Sequence, residues 1–275
     1  MNPQIHTLII TGAIDIRNFN VFPTALVDLN NRLEQYLYSI KYAIQNYKSI
    51  KNIIFCDNTD YKYDYSNLFE LAKVGNKNIE IFSFQGDYTS IERYGKGYGE
   101  GEIIEYILNN SKLIHTDTCF YKLTGRLIIT NFDSLVIKNL PENLFVLQPP
   151  QKVRSARNYI ETFFYRVNID LYKKELMHVY KTVSDKDEFF MEHAFYKALK
   201  DCKDIKTFHK YPIVIGQSGT TGVRYDLSKF RIFEENIYFK LGIHNLHKTK
   251  FQEYILSFLQ FILSVQQKIV VFKLK

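Results

Sequence analysis

Apolar residues along this chain fall into two alternating rhythms. Short unbroken apolar runs, Thr7–Ile10, Asn52–Cys56, Ile79–Phe84 and Phe120–Thr130, read as strands buried on both faces. Between them apolar positions recur every three or four residues. Leu29, Leu33, Tyr36, Leu37, Ile40 and Ile44 make Asp28–Tyr47 an amphipathic helix. Asn67–Val74 is a second helix, stopped near Gly75, and Gly101–Asn110 is a third. Strand and helix alternate at the spacing of βαβ units, which predicts an α/β fold with a mostly parallel, Rossmann-type sheet and helices on both faces. Such sheets bind ligands beyond the carboxyl ends of their strands. The loops that matter are therefore Thr11-Gly12, Asp57–Asp60, Phe84–Gly99 and the end of the fourth strand.

The rhythm changes after Gln148-Pro-Pro-Gln151, which marks a hinge and divides the chain into 1–147, 148–235 and a basic C-terminal piece, 236–275. Tyr159–Val167 is rich in aromatics. Ile169–Val183 and Glu188–Leu199 have helical spacing, and Ile213–Gly216 is a strand entering the flexible loop Gln217–Gly222. Phe251–Lys275 is a helix-length segment that packs on the domain or lies on a membrane surface. The second alternative draws on Lys240, His244, His247, Lys248 and Lys250 just upstream.

Composition narrows the partner. At 275 residues the chain builds one large domain or two fused halves. Trp is absent while Phe, Tyr, Lys, Asn and Ile abound, a bias of AT-rich coding that robs single aromatics of weight. The net charge of +7 favours an anionic partner, but its positive residues are scattered, with clusters only at Lys152–Arg157 and Lys240–Lys250. No Lys/Arg block or RNA-reading motif points to nucleic acid. Three distant cysteines, Cys56, Cys119 and Cys202, have no metal-ligand spacing and suit a reduced, cytoplasmic compartment. Neither a signal peptide nor an apolar run of roughly 20 residues is expected.

The chemistry concentrates between Gly95 and Arg126. Lys96-Gly97-Tyr98-Gly99-Glu100 reads as a glycine-rich loop whose backbone N–H groups, at the start of a helix, can receive an anion. It fits neither the phosphate loop of ATPases nor the dinucleotide fingerprint, and a plain connector with a solvated lysine is the competing reading. Lys122, Thr124, Gly125 and Arg126 end the following strand. Arg126 suits a diphosphate through its guanidinium fork or a surface ion pair. Asp57-Asn58-Thr59-Asp60 follows a buried strand and either hydrogen-bonds a ribose or base or forms a turn-making cap.

The order of these pieces resembles the GT-A nucleotide-sugar glycosyltransferases, over roughly residues 5–225: the pattern RLxQYxxSI at Arg32–Ile40, then Asp57-Asn58, GKGxGE, and KxTGR at Lys122–Arg126. It is similar to bacterial enzymes of surface-polysaccharide assembly, lipopolysaccharide or capsule. The resemblance implies a nucleoside-diphosphate donor, a UDP-sugar, held in the first half by Thr11, Gly12, Arg32, Asp57, Asn58, Lys96, Gly97, Lys122, Thr124 and Gly125. It implies an acceptor half over 148–235 for an oligosaccharide or lipid-linked acceptor at the inner face of the plasma membrane, with Arg154, Arg157, Ser218 and Gly219 on that side. Family members hold Mg²⁺ or Mn²⁺ on an Asp-x-Asp at the fourth strand, where this chain has Thr124-Gly125-Arg126. A guanidinium cannot chelate a cation, so metal-independent transfer is expected, with Arg126, Lys96 and Lys122 meeting the charge of the leaving diphosphate. Glu192 or His193 is the candidate base for the acceptor hydroxyl, although Glu192 also suits a helix N-terminus. Asp185 and Asp187 are reserve carboxylates on a solvated turn. The competing functions are a non-catalytic basic module for an anionic polymer or membrane surface, and a nucleotidyltransferase. The latter needs a metal-binding carboxylate pair that the sequence does not display.

Overall fold

The computed structural model describes residues 6–17, 25–147, 159–219, 222–255 and 257–258. The apolar runs become strands β1 (Thr7–Gly12), β2 (Asn52–Asp57), β3 (Asn78–Ser83) and β4 (Cys119–Thr124). They lie side by side in the order β3-β2-β1-β4, all parallel. β1, β2 and almost all of β4 are buried on both faces, which is why their sequences show no polar alternation. Helix α1 (Leu29–Asn46) and α2 (Ser66–Val74) connect the first three. Asp28 caps α1 by accepting from the Asn31 N–H at 2.8 Å. α3 (Tyr88–Tyr94) and α4 (Lys96–Asn110) carry the chain across to β4.

Beyond β4 the sheet becomes mixed. Strand β5 (Leu127–Ile129), helix α5 (Phe132–Leu135), β6 (Leu144–Leu147), β7 (Ile160–Asn168) and α6 (Ile169–Leu171) follow. β7 is antiparallel to β4 and β6 antiparallel to β7, with β8 (Lys206–Thr207) at the edge. The aromatic stretch at 159–167 is therefore a strand, and its Phe164 and Tyr165 face opposite cores. The main sheet reads β3-β2-β1-β4-β7-β6-β8. One core lies between the sheet and α1, α2; the other lies under α4 and α7 (Met191–Leu199). β9 (Val214–Gly216) and α8 (Lys229–Lys240) complete the described elements, and residues 250–255 are again helical.

Three expectations need correction. The fourth strand does not run from 120 to 130: it ends at Thr124, and β5 leaves the sheet to pair with β9 in a two-stranded ribbon. The break is enforced at Gly125-Arg126, where a Cβ on Gly125 would collide with the Thr11 carbonyl and Arg126 sits at φ +70°. The expected helix over 169–183 is broken into α6, a π-helical turn at Tyr172–Leu176 and a 3-10 turn at Val179–Thr182. The segment Lys96–Glu100 is not a loop, because α4 starts at Lys96. Its glycines let α4 nest among neighbours; a side chain at Gly101 would run into Tyr180. The proposed hinge 148–151 lies outside the described residues, as do 256 and 259–275 of the C-terminal segment.

Candidate active site

Strand order decides where a ligand can sit. From β1 the chain moves outward to β2 and β3, then returns across β1 to lay β4 on the other side. The carboxyl ends of β1 and β4 thus lie where the strand order reverses, the position at which such sheets offer a crevice to ligands. Thr11, Gly12, Thr124, Gly125 and Arg126 stand there together. The Gly125 N–H donates to the Thr11 carbonyl at 2.9 Å, so the two strand ends are locked to each other.

Arg126 is the most unusual residue of the crevice. Its positive φ is uncommon for a side chain of this size and costs backbone energy. The guanidinium lies 5.6 Å from the Tyr36 ring centroid and is within 3.4 Å of Gln35 Oε1. Its Nε has no hydrogen-bond partner. A Cβ on Gly219 would collide with its Nη2, so the 217–219 loop closes directly over it. Arg126 forms one wall of a cleft of about 500 Å³ whose other lining includes Glu34, Gln35, Tyr38, Gln217 and Arg224.

Lys96 starts α4 within electrostatic reach of Arg32 and Arg126, although it does not line the Arg126 cleft. Burial and the nearby guanidinium groups of Arg32 and Arg126 push its ammonium down to about 8, against the pull of Asp185. The expected turn is present at 185–188 with Asp187 exposed, but Asp185 is not fully solvated. Its carboxylate is half-buried at the N-terminus of α4, where it accepts from the Lys96 N–H at 3.3 Å. The helix end read as an open anion seat is therefore closed by the chain's own carboxylate. Gly97 packs on α7, and any Cβ there would come 3.2 Å from that of Met191.

Other expected donor contacts turn inward. Asp57 is fully buried and accepts from the Ile14 N–H at 2.7 Å, from the Thr59 hydroxyl at 2.8 Å, and from the N–H groups of Thr59 and Tyr61. Burial raises its carboxyl and these donors pull it back. Arg32 is equally buried and donates to the carbonyls of Ala13, Ile14 and Leu26. Both therefore shape the loop after β1. Asn58 is buried beside the crevice, and its Oδ1 has no partner.

A second charged group lies deeper. Lys122 is completely buried in β4 and ion-pairs with Glu100 of α4, while donating to Thr124 Oγ1 at 2.8 Å and the Thr162 carbonyl at 2.7 Å. Burial lowers this ammonium; Glu100 and then Glu192 oppose the shift. Glu192 opens α7 and accepts from the Thr162 hydroxyl at 2.8 Å. Burial, with the Glu100 charge beside it, raises the Glu192 carboxyl, and Lys122 restrains the rise. Glu100, Lys122 and Glu192 thus form an acid–base–acid row within electrostatic reach of one another, whose member Glu100 the sequence reading missed. Its signal was present: Glu100 is one helical turn from Lys96 on the same face. Arg224 of the cleft was also missed.

His193 is turned to another task. Its Nδ1 accepts from the Phe190 N–H at 3.1 Å and caps α7, with Phe189 and Phe190 stacked against the ring. Ser218 and Gly219 belong to the loop over Arg126, and the Gly219 carbonyl accepts from the Ala25 N–H at 3.1 Å. Arg154 and Arg157 fall outside the described residues. The residues at the end of β4 do not suit a divalent cation: a hydroxyl and a guanidinium stand there. Among the described residues no group of three His, Cys, Asp or Glu side chains is placed to hold a metal.

No protein-family model matches the sequence, and no curated protein matches it significantly. Among solved structures, the chain is similar to a nucleoside-diphosphate-sugar pyrophosphorylase from Vibrio cholerae, with 10% identity, a TM-score of 0.42, and coverage of 70% of this chain and 87% of the other. It is also similar to core-mannan synthase A from Aspergillus fumigatus in its Mn/GDP form, with 10% identity, a TM-score of 0.41, and coverage of 88% and 86%. HddC from Yersinia pseudotuberculosis gives 13% identity, a TM-score of 0.30, and coverage of 62% and 80%. These are distant likenesses of fold. What the crevice can bind follows from its own side chains.

Proposed function

We propose that this protein is a glycosyltransferase that moves a sugar from a nucleoside diphosphate, a UDP-sugar, to a surface-polysaccharide or lipid-linked oligosaccharide acceptor without a metal ion. One observation carries the proposal: Arg126 is held in a costly left-handed conformation at the β1–β4 switch point, with Lys96 in its electrostatic field. Two cations within reach of each other's field can meet the charge of one diphosphate, with Asp185 tempering Lys96. Thr11, Gly12 and Asn58 line the strand ends where the nucleoside would lie. Ser218 and Gly219, over Arg126, adjoin the 500 Å³ cleft on the acceptor side.

Transfer with inversion is a single displacement at the anomeric carbon. The acceptor oxygen bonds to the sugar's anomeric carbon as the bond from that carbon to the phosphate oxygen breaks. The electron pair leaves with the diphosphate, where Arg126 and Lys96 meet its charge. The acceptor proton passes to Glu192, whose raised pKa makes it a better base than an exposed carboxylate. Lys122 and Glu100 position Glu192 from behind. The test is thermal shift with UDP, GDP and CMP in the presence of EDTA, followed by mass spectrometry of a donor screen. Stabilisation by UDP that survives EDTA supports the proposal. Absence of any nucleotide-dependent shift overturns it, and EDTA-sensitive transfer overturns its metal-free clause.

A further inference from the structure

Helix α8 has two apolar faces, although a surface helix needs one. The inner face is already docked. Phe239 is buried with its ring 5.5 Å from that of Tyr211, and the Tyr211 N–H donates to Asn236 Oδ1 at 2.9 Å. The outer face carries Phe230, Phe233, Ile237 and Leu241, spaced by three or four residues, and leaves the two phenylalanines 75% and 63% exposed. The helical segment from 250 repeats the arrangement with Phe251, Tyr254 and Phe258, all exposed. Gln252 Nε2 donates to the Leu241 carbonyl at 3.0 Å, which brings Phe251 to the end of α8. Two exposed aromatic stripes therefore lie on adjoining segments, more apolar surface than scattered single residues explain.

Charge selects the partner. Lys229, Lys240 and Lys250 are exposed around these stripes. The acidic residues of α8 are neutralised within the chain: Glu234 pairs with Arg231 at 2.7 Å, and Glu235 pairs with Arg231 at 2.9 Å and faces His244 at 3.3 Å, so that Glu253, beside Phe251, is the exposed acid nearest the stripes in sequence. Aromatic rings ringed by lysines match the boundary of an anionic bilayer, where rings enter between headgroups and ammonium groups meet phosphates. A second copy of the same patch would instead bring lysines against lysines. No helix among the described residues is long and apolar enough to cross a membrane, so the contact is interfacial.

We infer that the outer face of α8 and the helical residues 250–255 and 257–258 form a docking surface for an anionic lipid bilayer. The patch stands beside the candidate site. Val223 and Leu227, both exposed, flank Arg224, which lines the cleft. Docking would hold that cleft near the lipid surface.

The full chain is tested by flotation with vesicles of phosphatidylcholine alone and of phosphatidylcholine with phosphatidylglycerol at roughly two to one. Because the chain has no tryptophan, Phe233→Trp supplies a single reporter. The expected result is flotation with the anionic vesicles only, weakened by salt, with a blue-shifted reporter emission. The double variant Phe230→Ser/Phe233→Ser should bind roughly tenfold or more weakly, while keeping its melting temperature and its response to UDP. Equal binding to neutral vesicles, no binding to either, or unchanged binding of the double variant would overturn the inference. So would light scattering that shows a dimer split by the double variant, which would assign the patch to a second copy. The UDP response is read separately, so failure of this inference leaves the glycosyltransferase proposal standing or falling on its own.

Discussion

The two flanks of the crevice treat charge differently. At the tips of β1 and β2, Asp57 and Arg32 are buried, and both are answered by main-chain donors or carbonyls of the surrounding loops. At the β4 end, Arg126 keeps an unpartnered Nε, Lys96 feels two guanidinium groups against one carboxylate, Asp185, and Glu192 lies between the like charge of Glu100 and the opposite charge of Lys122. A buried charge matched by backbone is scaffold, since removing either member leaves an unsatisfied partner. A charge held beside its own kind, or in a strained conformation, is destabilised until something else arrives. On the proposed function, that contrast makes Asp57 and Arg32 architecture and the β4 side chemistry, and it can be broken in graded steps.

The largest effect on turnover is expected from Glu192→Gln, which keeps the size of the side chain and removes the base. Transfer should fall by about 10²–10⁴-fold, with donor binding unchanged, as single-turnover assays would show. In the wild type the rate should rise with pH through a value above the ordinary carboxylate range, since Glu192 must lose its proton to act and burial raises its pKa. A rate profile flat across that range would remove Glu192 from the mechanism.

Asp57→Ala should mark the other flank through stability. Orphaning the buried N–H groups of Ile14, Thr59 and Tyr61 should cost about 3 kcal/mol or more, read by chemical denaturation. Loss of UDP affinity with stability intact would instead place Asp57 among the ligand contacts.

A smaller and sharper effect concerns Lys96. Its ammonium is charged below about 8 and neutral above, so affinity for UDP should decline as pH rises through that value. Lys96→Arg, which stays charged, should abolish the decline. Folding stability should move the other way. The unfolded lysine holds its proton up to about 10.4, so the unfolded state binds more protons between these two values and stability rises with pH there.

The sequence showed the β3-β2-β1-β4 half well, because strands buried on both faces leave unmistakable apolar runs and α1 repeats its apolar positions over several turns. It showed β4 too long, since nothing in Thr124-Gly125-Arg126-Leu127 announces that an arginine will adopt a positive φ. It misread Lys96–Glu100 as a loop, because intrinsic glycine propensity opposes a helix and only the close packing of α4 against Tyr180 and Met191 explains the exception. The acid–base–acid row was hidden for a different reason. Glu100, Lys122 and Glu192 come from α4, β4 and α7, and only the antiparallel pairing of β4 with β7 brings Thr162 between them. Local spacing carries no trace of such a meeting.

The central claim is that side-chain cations, with Arg126 foremost, receive the nucleotide's diphosphate. Calorimetric titration of UDP into the wild type and Arg126→Ala, both in EDTA, tests it most directly. The account predicts measurable binding to the wild type and a loss of roughly 10-fold or more in the variant, the worth of a charge-assisted contact of about 1.5–3 kcal/mol, with folding stability preserved. Equal affinities for the two proteins, or binding that appears only when a divalent cation is added back, would contradict it.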